Sequence, residues 1–226
     1  MDADTKRIDE ATRITLRPIA SPLPLGFLAF AMGSGLLSME QFGFFGTGQE
    51  HNTMLLLAVF IFPMQLLASV FAFLGREPVA ATALGVIAFS WPATALVTVL
   101  ADQGATNPLA GGLSAVIALV LALLAAPGLQ GKPVVGTVVT LGAARYTLNA
   151  VFDFTGSHAV ELASASVGAV ILLLGVYGGL ALVLEDTAHR TVLPFPRLGE
   201  ARRALETDLT DQASTVTREA GVRRQL

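Results

Sequence analysis

Six apolar stretches, at residues 24–45, 53–74, 79–100, 109–126, 134–152 and 162–184, follow one another with fewer than ten residues between neighbours. Each is long enough, at ~1.5 Å of rise per residue, to cross a hydrocarbon core ~30 Å thick. Thirteen of the fourteen Lys and Arg residues then fall on one side of a membrane crossed six times. Lys6, Arg7, Arg13 and Arg17 precede the first stretch, Arg76 and Lys132 lie in the second and fourth connections, and seven arginines from Arg190 onward follow the sixth. The other three connections, 46–52, 101–108 and 153–161, carry no Lys or Arg. Translocation of basic residues is disfavoured, so the basic side reads as the cytoplasm, with both termini there. The fourteenth basic residue, Arg145, lies inside the fifth stretch.

Composition agrees with a membrane protein. Apolar residues make up 53% of the chain and charged residues only 14%, where soluble domains run near a quarter charged. Mean hydropathy is +0.66. A soluble protein with unusually apolar core helices is the alternative, and the one-sided placement of the basic residues argues against it. The expected fold class is all-α: a polytopic membrane protein built as a six-transmembrane-helix bundle of the cell membrane. Residues 1–20 read as a cytoplasmic N-terminal segment without a cleavable signal, 21–195 as the transmembrane domain, and 196–226 as a charged cytoplasmic tail. The short connections make consecutive helices antiparallel neighbours.

The residue inventory excludes several chemistries. With no cysteine there is no disulfide and no thiolate ligand or nucleophile. His51, His158 and His189 form no metal-ligand pair at helical spacing. No metal, no cofactor and no nucleic-acid partner is expected. An enzyme is the least favoured class, because the six stretches hold no His and no nucleophile–base pair.

Polar residues inside the stretches fall into helical stripes. Phe30, Ser34, Ser38 and Gln41 share a face of the first, with Glu40 beside its outer end. Gln65 and Ser69 pair in the second. Ile87, Ser90, Trp91, Thr94 and Thr98 align in the third, and Thr137, Leu141, Arg145 and Asn149 in the fifth. Intramembrane polar groups are costly in lipid and turn toward protein or water, so four stripes predict a polar interior enclosing a path or site. Arg145 lies about eight residues from the outer end of its stretch, or ~12 Å, where a guanidinium costs ~2.5–3.5 kcal/mol unless something receives it. It is read either as a cation facing the conduit or as the partner of Glu40, Asp153 or Glu161, or as a side chain reaching for the interface. Pro63 and Pro92 fall at mid-membrane depth and predict kinks. Gly175 and Gly179, four apart, predict a close helix contact, within the chain or between copies. Asn107-Pro108 reads as a cap opening the fourth helix.

Ser21-Pro-Leu-Pro-Leu-Gly-Phe27, Gly43-Phe44-Phe45 and Arg190-Thr-Val-Leu-Pro194 resemble the opening signature, first-helix end and exit segment of the acetate uptake transporter family, the succinate–acetate permease group. Gln65 and Trp91 also match family positions. The resemblance covers about residues 20–200. It implies a six-helix protomer in a ring-shaped homohexamer, one conduit per protomer, carrying acetate, related small monocarboxylates or succinate by channel-like passage or proton-linked symport. It also implies a hydrophobic constriction whose Phe falls on Phe30, whose Tyr position is Ile87 here, and whose Leu falls on Leu141. Ser21, Glu40-Gln41, Ile87 and Arg145 depart from the family pattern. The leading expectation is a conduit for a small carboxylate with an apolar collar of Phe30, Ile87 and Leu141. Ser34, Gln65, Ser90, Trp91, Thr94, Arg145 and Asn149 make its polar path. A conduit for another organic acid or for ammonia, and a membrane scaffold or sensor working through its tail, are the alternatives.

Overall fold

The computed structural model describes residues 20–46, 48–100, 106–199 and 201–202. Over these the chain is an all-α, polytopic membrane protein with six helices long and apolar enough to span a bilayer. They are α1 (Leu23–Gln41), α2 (Glu50–Leu74), α3 (Pro78–Leu100), α4 (Pro108–Gly131), α5 (Pro133–Thr155) and α6 (His158–Ala188). The polar lead-in before Ala20 and the charged tail beyond Arg202 lie outside the described residues.

Proline starts the helices. Pro78, Pro108 and Pro133 open α3, α4 and α5, where a missing N–H costs nothing and the fixed φ is already helical. The Asn107 side chain caps α4, accepting from the Ala110 N–H at 3.2 Å. α1 ends at Gln41, four residues before its apolar stretch does. The backbone turns there through Gly43, at φ 79°, and leaves Phe42, Phe44 and Phe45 exposed. α4 runs on through Pro127 to Gly131. Inside α2 a turn of π-helix, Leu57–Ile61, precedes Pro63, and the Phe62 N–H reaches back five residues to the Leu57 carbonyl. The wider turn gives the proline ring room against the preceding backbone, a usual cause of a π-bulge. α3 continues through Pro92 without a break.

The two least apolar spans, α1 and α5, are also the two most buried. The other four present apolar side chains outward, through residues such as Val59, Phe89, Leu123 and Leu173. A helix shielded from lipid can carry polar groups at little cost, and these two bring Ser34, Gln41, Arg145 and Asn149 to the polar interior. α6 packs on α1 by way of its glycines. A Cβ on Gly175 would stand 2.8 Å from the Ala31 Cβ, and one on Gly179 2.7 Å from Leu28. The Gly175/Gly179 face therefore serves a contact within the chain, where small residues let the two backbones approach.

At the basic end the chain leaves α6 and crosses the mouth of the bundle as a strap, residues 191–198. The Tyr177 hydroxyl donates to the Pro194 carbonyl at 2.6 Å, and the Leu198 N–H donates to Gly131 O at 2.8 Å. Phe195 is buried, edge-on to Phe27 with ring centroids 6.0 Å apart. Arg197 lies over the Phe195 ring and pairs with Glu185. Lys132 and Glu77 join the α4–α5 and α2–α3 turns nearby.

Candidate functional site: a polar vestibule above an aromatic septum

At the end opposite the basic residues the bundle encloses a cavity of roughly 680 Å³. Glu50 and Glu161 of the first turns of α2 and α6, with Thr106 before α4, line its mouth, and Phe30, Ser34, Trp91 and Arg145 line its depth. A second, apolar space of roughly 40 Å³ lies toward the basic end between Leu23, Phe27, Ile87 and Val138. Phe30 lines both cavities. Its ring, 4% exposed, packs against α5 at Gly142, where a Cβ would stand 3.5 Å from Phe30 Cζ. Phe30 is thus a septum one ring thick.

One and two helical turns above Phe30 on α1, Ser34 and Ser38 are buried, and Ser38 Oγ donates to the Ser34 carbonyl at 2.8 Å. The Arg145 guanidinium comes across from α5 to the same carbonyl, Nη1 donating at 2.9 Å, while Nη2 donates to Gln41 Oε1 at 3.0 Å. No ion pair joins Arg145 to a carboxylate among the described residues. Of the alternatives open for Arg145, the pairing with Glu40, Asp153 or Glu161 is not formed, and neutral oxygens from α1 receive the guanidinium instead. Gly168 on α6 makes this possible: a Cβ there would overlap the guanidinium and Ser38 Oγ. Arg145 is 3% exposed and its Nε has no hydrogen-bond partner; Ser34 Oγ is also buried and unpartnered. A buried cation with donor capacity left over, in a cavity wall, is suited to receive an anion.

The remaining expected residues divide by position. Trp91, Thr94 and Asn149 line the vestibule. The Trp91 indole is fixed, its Nε1 donating to Gln65 Oε1 at 2.7 Å and its ring lying on α1 at Gly33. Gln65 is wholly buried behind it and lines neither cavity. Ser90 is buried and hydrogen-bonded to the Ile87 carbonyl and to Tyr146 Oη. Ile87 lines the lower cavity. Leu141 lines neither; it is half-buried, and Gly142, one residue on, faces Phe30. The α5 stripe is out of phase by about one residue at its start, since Thr137 is exposed.

Tyr146, outside the polar stripe expected on α5, is buried in the vestibule wall. Its signal was present in the steps of four, three and four from Gly142 to Tyr146, Asn149 and Asp153. The mouth carries four carboxylates, Glu40, Glu50, Asp153 and Glu161, with His51 among them. Among the described residues no group of His, Asp or Glu is arranged to hold a metal ion.

Fold and cavity together define a multi-pass helical membrane protein with a one-sided polar vestibule. No protein-family model and no curated protein sequence matches the chain. In three dimensions it is similar to the structure of the bacterial acetate channel SatP, with a TM-score of 0.70 and 20% sequence identity, over 79% of this chain and 99% of that one. The likeness establishes the six-helix fold.

Proposed function

We propose that the protein is a channel of the cell membrane for small monocarboxylate anions such as acetate. The observation that carries this reading is the arrangement around Phe30: one buried ring divides two cavities, and a buried guanidinium stands a turn above it. The likeness to the SatP fold and the terminal motifs support the same substrate class. The positive-inside rule puts the basic end and both termini in the cytoplasm, so the vestibule opens outward. By the family resemblance the working assembly is a homohexamer with one conduit in each protomer.

An apolar ring at the narrow point blocks water and hydrated ions, because a collar of this kind dewets. A carboxylate with a short alkyl end differs from a hydrated ion. Its methyl group contacts the Phe30 ring favourably, while Arg145 offsets the loss of water around the carboxylate. Below the ring, Phe27, Ile87 and Val138 continue an apolar lining.

Radiolabelled acetate flux into proteoliposomes tests the reading. Saturable uptake above that of protein-free vesicles is expected. Arg145→Met should lower it at least about tenfold, equivalent to ~1.4 kcal/mol of lost anion stabilisation, and Arg145→Lys should recover part of it. Phe30→Ala should admit larger solutes. No acetate uptake, or uptake indifferent to both positions, removes the proposal.

A further inference from the structure

We propose that the vestibule is a binding site for small ω-amino carboxylates, zwitterions whose ammonium lies a few carbons from the carboxylate. The proposal rests on reading this cavity as the mouth of a carboxylate conduit, and it names the ligand that the mouth itself selects. The charges lining the cavity are sorted by depth. The cation, Arg145, lies at the floor, and four carboxylates, Glu40, Glu50, Asp153 and Glu161, lie around the opening. A bare anion entering must pass this acidic rim to reach the one cation. A zwitterion meets both poles in the favourable order.

The spacing suits such a ligand. Arg145, Asn149 and Asp153 succeed one another on α5 at one-turn intervals, so the backbone positions of the cation and the acid differ in height by ~12 Å. Both side chains shorten that span by their own reach. On α1, Gln41 accepts a hydrogen bond from Arg145 Nη2, and Glu40 is the residue before it. Between the poles the lining includes Thr94 and Asn149, neutral polar groups against which a methylene stem can lie. The floor has capacity to spare: Arg145 Nε and Ser34 Oγ are buried and unpartnered, and both residues line the cavity. A carboxylate seated there meets the positive charge of the guanidinium at the cavity wall.

The test uses the full chain in proteoliposomes and in detergent. 4-Aminobutyrate and butyrate have the same carbon skeleton and differ in the ammonium. 4-Aminobutyrate should inhibit acetate uptake at a concentration about tenfold below butyrate, and calorimetry should show it binding the purified protein. In Glu40→Gln/Asp153→Asn that advantage should disappear while butyrate inhibits more strongly, since the like charges in its path are fewer. Size-exclusion profile and thermal melting establish that the double variant is folded, and Glu161→Gln alone gives a second, milder test at the same rim. Equal inhibition by the two probes, or an advantage that survives the double substitution, overturns the proposal and leaves the carboxylate channel standing. Binding of 4-aminobutyrate with no acetate uptake supports the site and removes the channel reading instead.

Discussion

The two ends of the bundle are built on opposite plans. At the vestibule end the helices part around roughly 680 Å³ of polar space rimmed with carboxylates. At the basic end they close on roughly 40 Å³ lined by Leu, Val, Ile and Phe, and the 191–198 strap lies across the opening with Phe195 on Phe27. The difference shows where the barrier is. The vestibule extends from its mouth down to Phe30, and the apolar packing beneath that ring and the strap close the other half. The ends also differ in how they are held. Hydrogen bonds to a buried guanidinium fix the polar end, whereas ring packing and tethers such as Tyr177 to Pro194 fix the closed one.

The largest effect expected from a single change is at the polar end. Gly168→Ala places a methyl group where the Arg145 guanidinium lies. Overpacking costs ~1–3 kcal/mol, and dislodging a buried charge from its partners adds a comparable amount. We expect a total near 4 kcal/mol, read as a large fall in melting temperature, with acetate uptake lost. Gly168→Ala combined with Arg145→Met should be more stable than Gly168→Ala alone, because the clash with the guanidinium is then relieved and only the one with Ser38 Oγ remains. Equal stability of the single and double variants would mean that the close approach at Gly168 does not constrain Arg145.

Next in size is a change at the closed end. Phe195→Ala removes a buried ring and should cost about 3 kcal/mol. The chain has no cysteine, so single introduced thiols report access from each side. Thr94→Cys, in the vestibule wall, should react rapidly with a charged thiol reagent. Ala83→Cys, in the lower cavity, should react slowly, and about tenfold faster once Phe195 is Ala, the ratio given by ~1.4 kcal/mol of lost closure. An unchanged rate at Ala83→Cys would move the whole barrier to Phe30.

How much of each end could be read from the sequence follows from the same contrast. The six spans and their order were legible because length and apolarity decide them. Their limits were not: α1 stops at Gln41 although Phe42, Phe44 and Phe45 continue the apolar run, and α4 passes through Pro127. On α1, buried on nearly every side, a polar residue has no lipid-facing option, and of its stripe Phe30, Ser34 and Gln41 line the vestibule while Ser38 lies buried beside it. On α5 the stripe began from Thr137, which is exposed. Threonine hydroxyls can satisfy their own helix, as Thr140 and Thr147 do, so they carry little information about facing. Gly142 and Tyr146 carried it instead. The strap was illegible, because its hold depends on Phe27, Gly131 and Tyr177, residues far from it in sequence.

The smallest effect falls where polar and apolar regions meet, at Tyr146. Ser90 Oγ donates its one proton to the Ile87 carbonyl at 2.6 Å, so Tyr146 Oη is the donor in the Ser90–Tyr146 pair. Tyr146→Phe therefore leaves no donor stranded and costs only about 1 kcal/mol, or ~2–4 °C in melting temperature for a chain of this length. The family resemblance places an aromatic hydroxyl at the position of Ile87. Here Tyr146 brings one to Ser90, one turn of α3 further from the basic end. If that hydroxyl only ties α5 to α3, acetate uptake in Tyr146→Phe should stay within about threefold of the parent, in keeping with ~0.6 kcal/mol or less. A loss as large as that from Arg145→Met would show that the hydroxyl meets the solute directly, and the polar region would then extend down to the septum itself.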